Sequence, residues 1–369
     1  MATEQTSNQY KPDYAIAPGE SLKDLLDSSS MSQAELAKRT GRHVKTINEI
    51  VKGKAPITPD TAIQFERVFG VPAHFWNNVE RNYQETLAQL EEQARLETYL
   101  DWLANIPCRA LMNLGLIPKT SDKKIMLESV LQFFGVVSPD IWEIYWKEHC
   151  SITAFRSSKA FEADYGALTA WLRIGEIKAE TIDCKPYNRK RFLVSLKQIR
   201  GFTATTPNIF LPKIHKLCAA SGVALVFFRE LPKTRVSGAT RWLSPGKALV
   251  QMSLRYKSDD HLWFTFFHEA AHILFHGKRD CFVDFPENQD SSVDHREEEA
   301  NEFSSNFLIP KRELAAFVAS GKFNMDSVIE FSEKVGVSPG IVVGRLQHDG
   351  HVSYQSMLNS MKIHFSWGS

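Results

Sequence analysis

Residues 262–277 read Leu-Trp-Phe-Thr-Phe-Phe-His-Glu-Ala-Ala-His-Ile-Leu-Phe-His-Gly, and His268 to His272 within them form an H-E-x-x-H sequence. The apolar run predicts a buried helix. Ser258, Asp259 and Asp260 offer N-cap oxygens before it, and Gly277 suits the C′ position after it. On such a helix His268 and His272 stand at i and i+4, so both imidazoles reach one metal ion from one face. Glu269 sits one position round, where it can take a proton from an activated water instead of binding the ion. The same five residues also fit two core histidines beside a surface glutamate, and the pattern alone leaves both readings open.

The following helix narrows the choice. A zinc site of this type needs a third protein ligand and an open fourth position. Glu297-Glu298-Glu299-Ala300-Asn301-Glu302-Phe303 opens a helix that ends at Leu308-Ile309-Pro310. Glu297 and Asn301 share a face, so Glu297 can bind metal while Asn301 orients a ligating histidine from behind. Glu297 also has the D-x-x-E spacing of a capping box with Asp294, and Glu298 is the spare ligand.

Together these two stretches resemble the ImmA/IrrE family of zinc metallopeptidases, over roughly residues 205–315. Its members show H-E-x-x-H, then E-x-x-A-[ND]-x-F-A, then a small-apolar-Pro ending. Ser304 departs from the usual alanine, away from the ligands. The resemblance implies Zn2+ on His268, His272 and Glu297, with Asn301 behind a histidine. It implies water-mediated peptide hydrolysis with Glu269 as the general base. Tyr256, His276 and His295 are candidates for a further oxyanion donor. Peptidases of this family cut Xre-type repressors in response to stress.

A second motif lies near the N-terminus. Ser32-Gln-Ala-Glu35 reads as a capping box opening a short helix, Thr40-Gly41-Arg42 as a tight turn, and residues 43–51 as a second short helix. Thr58 as N-cap, Pro59 at N1 and an apolar face of Ala62, Ile63, Phe65 and Phe69 predict a further helix ending at Gly70. Ala37, Gly41, Ile47 and Ile50 have the packing pattern of a helix-turn-helix. Lys38, Arg39, Arg42, Lys45, Lys52 and Lys54 outnumber Glu35 and Glu49, a local basic face on a chain of net charge +1. Residues 32–41 and 50–62, with Pro72-Ala-His-Phe75-Trp76, resemble the Xre-type helix-turn-helix and, within it, the HigA-like antitoxins. That resemblance implies double-stranded operator DNA as a partner, read by a homodimer, with a toxin as a further candidate partner. It also implies that the helix over 43–51 enters the major groove. Val44, Lys45, Thr46 and Glu49 would then face base edges, Gln33, His43 and Lys52 would meet phosphates, and Arg42 could do either.

The remaining chain is less specific. Residues 77–104 predict one long helix with a stripe of Val79, Tyr83, Leu87, Leu90 and Ala94, which suits either packing within its domain or a dimer seam. Residues 105–204 read as helical and without a chemical motif. Their aromatics Trp142, Tyr145, Trp146, Phe155, Trp171 and Phe192 read as core, and Arg189-Lys190-Arg191 with Lys197 and Arg200 as a solvated basic face. Residues 222–228, 237–243 and 248–252 predict strands, one of which is a candidate edge for pairing with an extended peptide. Hydrophobic content of 43% and charge content of 24% fit a globular protein. The absence of an apolar signal segment at Met1, together with five scattered cysteines, predicts a cytoplasmic protein without a membrane partner.

The predicted fold class is α+β and multidomain. Residues 1–19 are a disordered lead-in, 20–76 an all-α helix-turn-helix domain and 77–104 a linker or dimerisation helix. Residues 105–204 are a helical middle, 205–315 a zinc-peptidase domain with a small sheet, and 316–369 a helical cap. The function these imply is a DNA-binding, antitoxin-like regulator whose zinc peptidase domain cuts itself or a partner regulator. The alternative is a repressor or antitoxin whose metal domain senses or binds without cutting.

Overall fold

The computed structural model describes residues 14–149, 162–278, 281–284 and 295–367. Two compact units divide the chain, Met1–Leu100 and Asp101–Ser369. The boundary falls inside the stretch expected to be one helix over 77–104.

The described part of the first unit is helical: α1 (Pro18–Ser28), α2 (Gln33–Thr40), α3 (Val44–Val51), α4 (Pro59–Phe69) and α5 (Ala73–Glu97). Pro18 and Gly19, expected in the lead-in, belong to α1, because proline suits the first helical position and glycine allows a close crossing. A Cβ on Gly19 would lie 2.2 Å from the carbonyl oxygen of Ile50, so α1 presses directly on the backbone of α3. Ser32 Oγ accepts the Glu35 amide at 3.1 Å. The returning half of the expected capping box is replaced, since Glu35 accepts from Arg39 Nε at 2.8 Å. Gly41 turns the chain in the left-handed region at φ 69°. Leu22, Leu36, Ile47, Ala62 and Phe65 are fully buried around this crossing, while Ile63 points away and is 44% exposed. In α5, Trp76 and Leu96 are buried, Val79, Tyr83, Leu87 and Leu90 are half-buried, and Ala94 is exposed.

The second unit begins with α6 (Cys108–Asn113), α7 (Lys123–Phe134), α8 (Pro139–His149), α9 (Glu162–Glu180), α10 (Arg189–Arg200) and α11 (Pro207–Ala220). Residues 123–146 reach a mean hydropathy of 1.2, but a left-handed Gly135 breaks them into two packed helices. A sheet follows: β1 (Val223–Phe227), β2 (Gly238–Ser244), β3 (Lys247–Met252) and β4 (Phe282–Asp284). Its order is β1-β3-β2-β4, with β1 parallel to β3 and the other pairs antiparallel. Between β3 and β4 lies α12 (Asp259–Phe275), and after them come α13 (His295–Leu308), α14 (Lys311–Ala319), α15 (Met325–Val335) and α16 (Pro339–His348).

Both sheet faces are covered, so strand side chains alternate between two apolar environments. Val223, Leu225, Ala248, Val250 and Met252 enter the core shared with α10 to α16. Ala224, Val226 and Leu249 pack with Ala179 of α9 on the other face. The helical middle is therefore not a separate layer: α9 is one wall of the sheet and α10 part of the main core. Gln251 Nε2 donates to the Trp171 carbonyl at 2.7 Å. Gly175 permits the contact, since a Cβ there would meet the Gln251 side chain at 1.9 Å. Trp142, Trp146, Trp171 and Phe192 are buried as expected and Tyr145 is half-buried; Phe155 lies outside the described residues.

In the basic face over 189–200, Lys190 and Lys197 are exposed as expected, while Arg189, Arg191 and Arg200 also clamp helix ends. Cations suit the free carbonyls at helix C-termini. Arg189 donates to Leu274 O at 3.1 Å, closing α12, and Arg191 to Ala220 O at 3.0 Å, closing α11. Arg200 donates to the carbonyls of Phe307, Leu308 and Val335, each at 2.7 Å, joining the ends of α13 and α15.

Candidate metal centre and nucleic-acid interface

Almost all of α12 is buried, so its position is fixed from every side. At its N-terminus Ser258 makes no side-chain cap. Asp259 and Asp260, expected as cap residues, are turned to other work. Asp259 accepts from Ser338 Oγ at 2.5 Å and from the Ile363 amide at 3.0 Å, and Asp260 pairs with Lys362 at 2.7 Å. Gly340 and Gly344 let α16 lie against these carboxylates, at points where a Cβ would stand 2.3 and 2.5 Å from their oxygens. At the other end the helix stops at Phe275, and His276 takes an extended conformation at φ −105°, ψ 166°. This extended residue is the C-cap, one position before the glycine expected to end the helix.

His268 and His272 are 3% and 2% exposed and direct their Nε2 atoms at one point, 3.0 Å apart. Glu297 comes from α13, with one carboxylate oxygen 3.1 Å from His268 Nε2 and the other 3.6 Å from His272 Nε2. All three ligand atoms lie within 4.8 Å of one another. Two imidazole nitrogens and one carboxylate are a donor set that suits zinc with a free fourth position. Burial lowers the pKa of His272 to about 4 despite the opposing pull of the Glu297 carboxylate, so its ring is neutral at pH 7 with a lone pair to offer. Burial would raise the pKa of Glu297, but the two imidazoles beside its carboxylate outweigh that and hold it ionised.

Each histidine has support behind it. His268 Nδ1 lies 2.9 Å from Asn301 Oδ1, and the Phe264 ring stacks beside it with centroids 6.2 Å apart. Ser304 is fully buried and donates to Phe264 O at 2.8 Å, so the residue that departs from the family pattern ties α13 to α12. Phe282 of β4 lies flat on His272, with centroids 4.0 Å apart and an interplanar angle of 12°.

Glu269 is fully buried on the sheet side of α12. Gly238 opens β2 against it, where a Cβ would stand 2.6 Å from Glu269 Oε1. Thr240 Oγ1 also donates to Glu269 O at 3.2 Å. An isolated glycine in a strand signals a close approach, and that cue was available at Gly238. β3 is flanked on both sides and β2 is paired with β4 over Gly238–Thr240, so these stretches are not free edges; the edge beside the metal ligands is the short β4. Of the candidate oxyanion donors, His276 stands behind His272, Tyr256 stacks on His261 at 4.2 Å, and His295 is exposed at the start of α13. Glu298 is exposed, and Asp294 lies outside the described residues.

In the first unit, Val44 is 50% exposed and the Lys45 side chain 85% exposed, with Glu49 one turn on at 3.8 Å from Lys45. His43 is the N-cap residue of α3 without a side-chain cap bond. Thr46 is half-buried and Lys52 exposed. Two expected contacts are already engaged within the fold: Gln33 accepts from Asn48 at 3.0 Å, and Arg42 donates to Gln64 on α4 at 2.5 Å.

These two sites define a helix-turn-helix DNA-binding domain joined to a peptidase-type α+β domain with a His-His-Glu cluster. Residues 22–76 match the helix-turn-helix family, and residues 225–347 match the Peptidase M78 family, the IrrE N-terminal-like domain. The second match ends within α16, inside the stretch expected as a cap. Virulence-associated protein I of Dichelobacter nodosus is 37% identical over 81 residues, which are 22% of this chain and 75% of the relative. The chain thus belongs to the Xre-like helix-turn-helix family and carries in addition a Peptidase M78 domain. Similar solved structures include an addiction module antidote protein of a HigA family from Coxiella burnetii, at 30% identity, TM-score 0.21, and coverage of 23% of this chain and 92% of that one. Another is the Pseudomonas aeruginosa antitoxin HigA with higBA promoter, at 31% identity, TM-score 0.22, and coverage of 23% and 94%.

Proposed function

We propose that this chain is a DNA-binding regulator whose second unit is a zinc-dependent peptidase acting on itself or on a partner regulator. The observation that carries the enzymatic half is the convergence of His268, His272 and Glu297 from two helices onto one point. Zinc bound there would supply Lewis-acid polarisation of a substrate carbonyl. Asn301 fixes the ring of His268. Glu269 accepts a proton from the attacking water and returns it to the leaving nitrogen. On the DNA side, Val44, Lys45, Thr46 and Glu49 face base edges of a two-fold operator read by a homodimer, and His43 and Lys52 meet phosphates. Gln33 serves there by bracing α3 through Asn48, and Arg42 by tying the turn before α3 to α4.

One observation favours a second reading, a regulator whose metal domain senses or binds without cutting: Glu269 is fully buried against Gly238. Glu269→Gln separates the two. It keeps the size of the side chain and loses the proton acceptor, so metal content and operator binding should equal wild type. Cleavage, followed as fragments of this chain and of the proteins encoded beside it, should fall by at least ~10²-fold. Derepression by wild type without any fragment, matched by the variant, would leave the binding role alone. Metal analysis should find about one zinc per chain, lost in His268→Ala.

A further inference from the structure

His272 and His276 stand where α12 ends, with their Nδ1 atoms 2.9 Å apart. On its other side His276 Nε2 lies 3.2 Å from Glu299 Oε2, which reaches in from α13. We propose that His276 and Glu299 are positioning residues for the ligand His272, in a one-way chain of donated hydrogen bonds from imidazole to imidazole to carboxylate. The inference rests on the metal site proposed above.

The direction follows from counting hydrogens. A neutral imidazole has one N–H and one lone pair. His272 turns Nε2 to the point it shares with His268 and Glu297, so its lone pair belongs there and its hydrogen sits on Nδ1. Nδ1 therefore donates to His276 Nδ1. His276 must then carry its own hydrogen on Nε2, which donates to Glu299. The opposite tautomer of His276 would set two N–H groups against each other at 2.9 Å. Packing holds the arrangement, since Phe282 lies flat on His272 and its ring centroid is 5.1 Å from that of His276. The chain runs outward, from a His276 side chain 4% exposed to a Glu299 side chain 45% exposed.

The extended backbone at His276, where a C-capping glycine was expected one residue later, belongs to this arrangement. It also makes the two histidine ligands unequal. His268 is backed by the neutral amide of Asn301, whereas His272 is backed by a chain ending in a carboxylate, which strengthens a ligand's basicity.

The test uses the full chain, with Zn2+ affinity measured by competition against a chromophoric chelator and the visible absorption of the Co2+ form as a spectroscopic readout. His276→Phe should weaken Zn2+ binding by about 10- to 100-fold and shift the Co2+ bands. Glu299→Gln should shift both in the same direction by less, and its exposed position leaves the core intact. Glu302→Gln, on the same helix, should match wild type. If both test variants bind Zn2+ with wild-type affinity and give the wild-type Co2+ spectrum, the positioning role is overturned while the metal site stands. A wild type that takes up neither ion overturns the metal site and this inference together.

Discussion

Several times among the described residues a left-handed glycine joins two helices, and two of these joints make a useful pair. Gly41 joins α2 to α3 at φ 69°, and Gly336 joins α15 to α16 at φ 71°. In both, the second helix begins after an extended residue, His43 or Ser338. Their fates differ. α3 buries Ile47 and Ile50 and leaves Val44 and Lys45 in solvent. α16 buries Gly340, Ile341, Val342, Val343, Leu346 and Gln347, which cover most of its circumference. The local hinge is the same; a polar face makes one helix available to a groove, and its absence makes the other a core strut holding the N-terminus of α12. A helix-turn-helix geometry by itself therefore does not identify a DNA reader.

The largest expected effect is a direct exchange of surroundings. Val343→Lys would place an ammonium in the core and should cost about 4 kcal/mol or more, seen as a lower urea midpoint for the second unit. Val44→Lys in α3 should stay within about 0.5 kcal/mol. Equal losses from the two would remove the distinction.

Next comes Lys362→Met, which strips the partner from Asp260 beneath α16. Breaking a buried pair from one side costs about 3–5 kcal/mol. Burial alone would raise the Asp260 pKa, but hydrogen bonds from Lys362 and Ser258 outweigh it and hold the value below the ordinary carboxylate range. A depressed folded-state pKa contributes stability that is complete above the unfolded value near ~4 and is lost as pH falls through the folded value. In the variant burial acts with less opposition, so Asp260 takes up a proton at higher pH. The gap between wild type and variant should be widest near neutrality and narrow towards pH ~4. Asp259, raised chiefly by burial and in part by the charge on Asp260, acts in the opposite sense in both proteins. A gap that stays constant with pH would show that the lost stability is packing and not charge.

The smallest effect sharpens the α3 side. Lys45→Ala should cost about 1–3 kcal/mol on the specific operator and little on random DNA, while Lys52→Ala should weaken both and reduce the salt slope by about one. Gel-shift titrations at several salt concentrations distinguish the two, and identical losses on both DNAs from Lys45→Ala would move that residue to the phosphates.

What the sequence reveals follows the range of each interaction. His268 with His272, and Glu297 with Asn301, are legible because helical periodicity alone puts each pair on one face. The turn at Gly41 and the cap at Ser32 are equally local. The supports are not local: Gly238 against Glu269, Phe282 on His272 and Arg200 across two helix ends join residues many positions apart. α9 hides for another reason. Its buried surface is spread round the helix, from Ala167 to Ala179, so periodicity does not mark the side that meets the sheet. The capping box misleads because Arg39, one turn past Glu35, competes for the same carboxylate.

The missing Cβ at Gly238 also bears on how related chains should be sorted. A chain can keep H-E-x-x-H and its distant glutamate, fold normally and bind metal, yet carry a side chain at this position that displaces the glutamate carboxylate. Under the proposed peptidase function, such a chain would be a pseudoenzyme with an intact motif. The residue opposite the glutamate, thirty-one positions before it in this numbering, is thus the more discriminating one to inspect when dead copies are to be told from live ones.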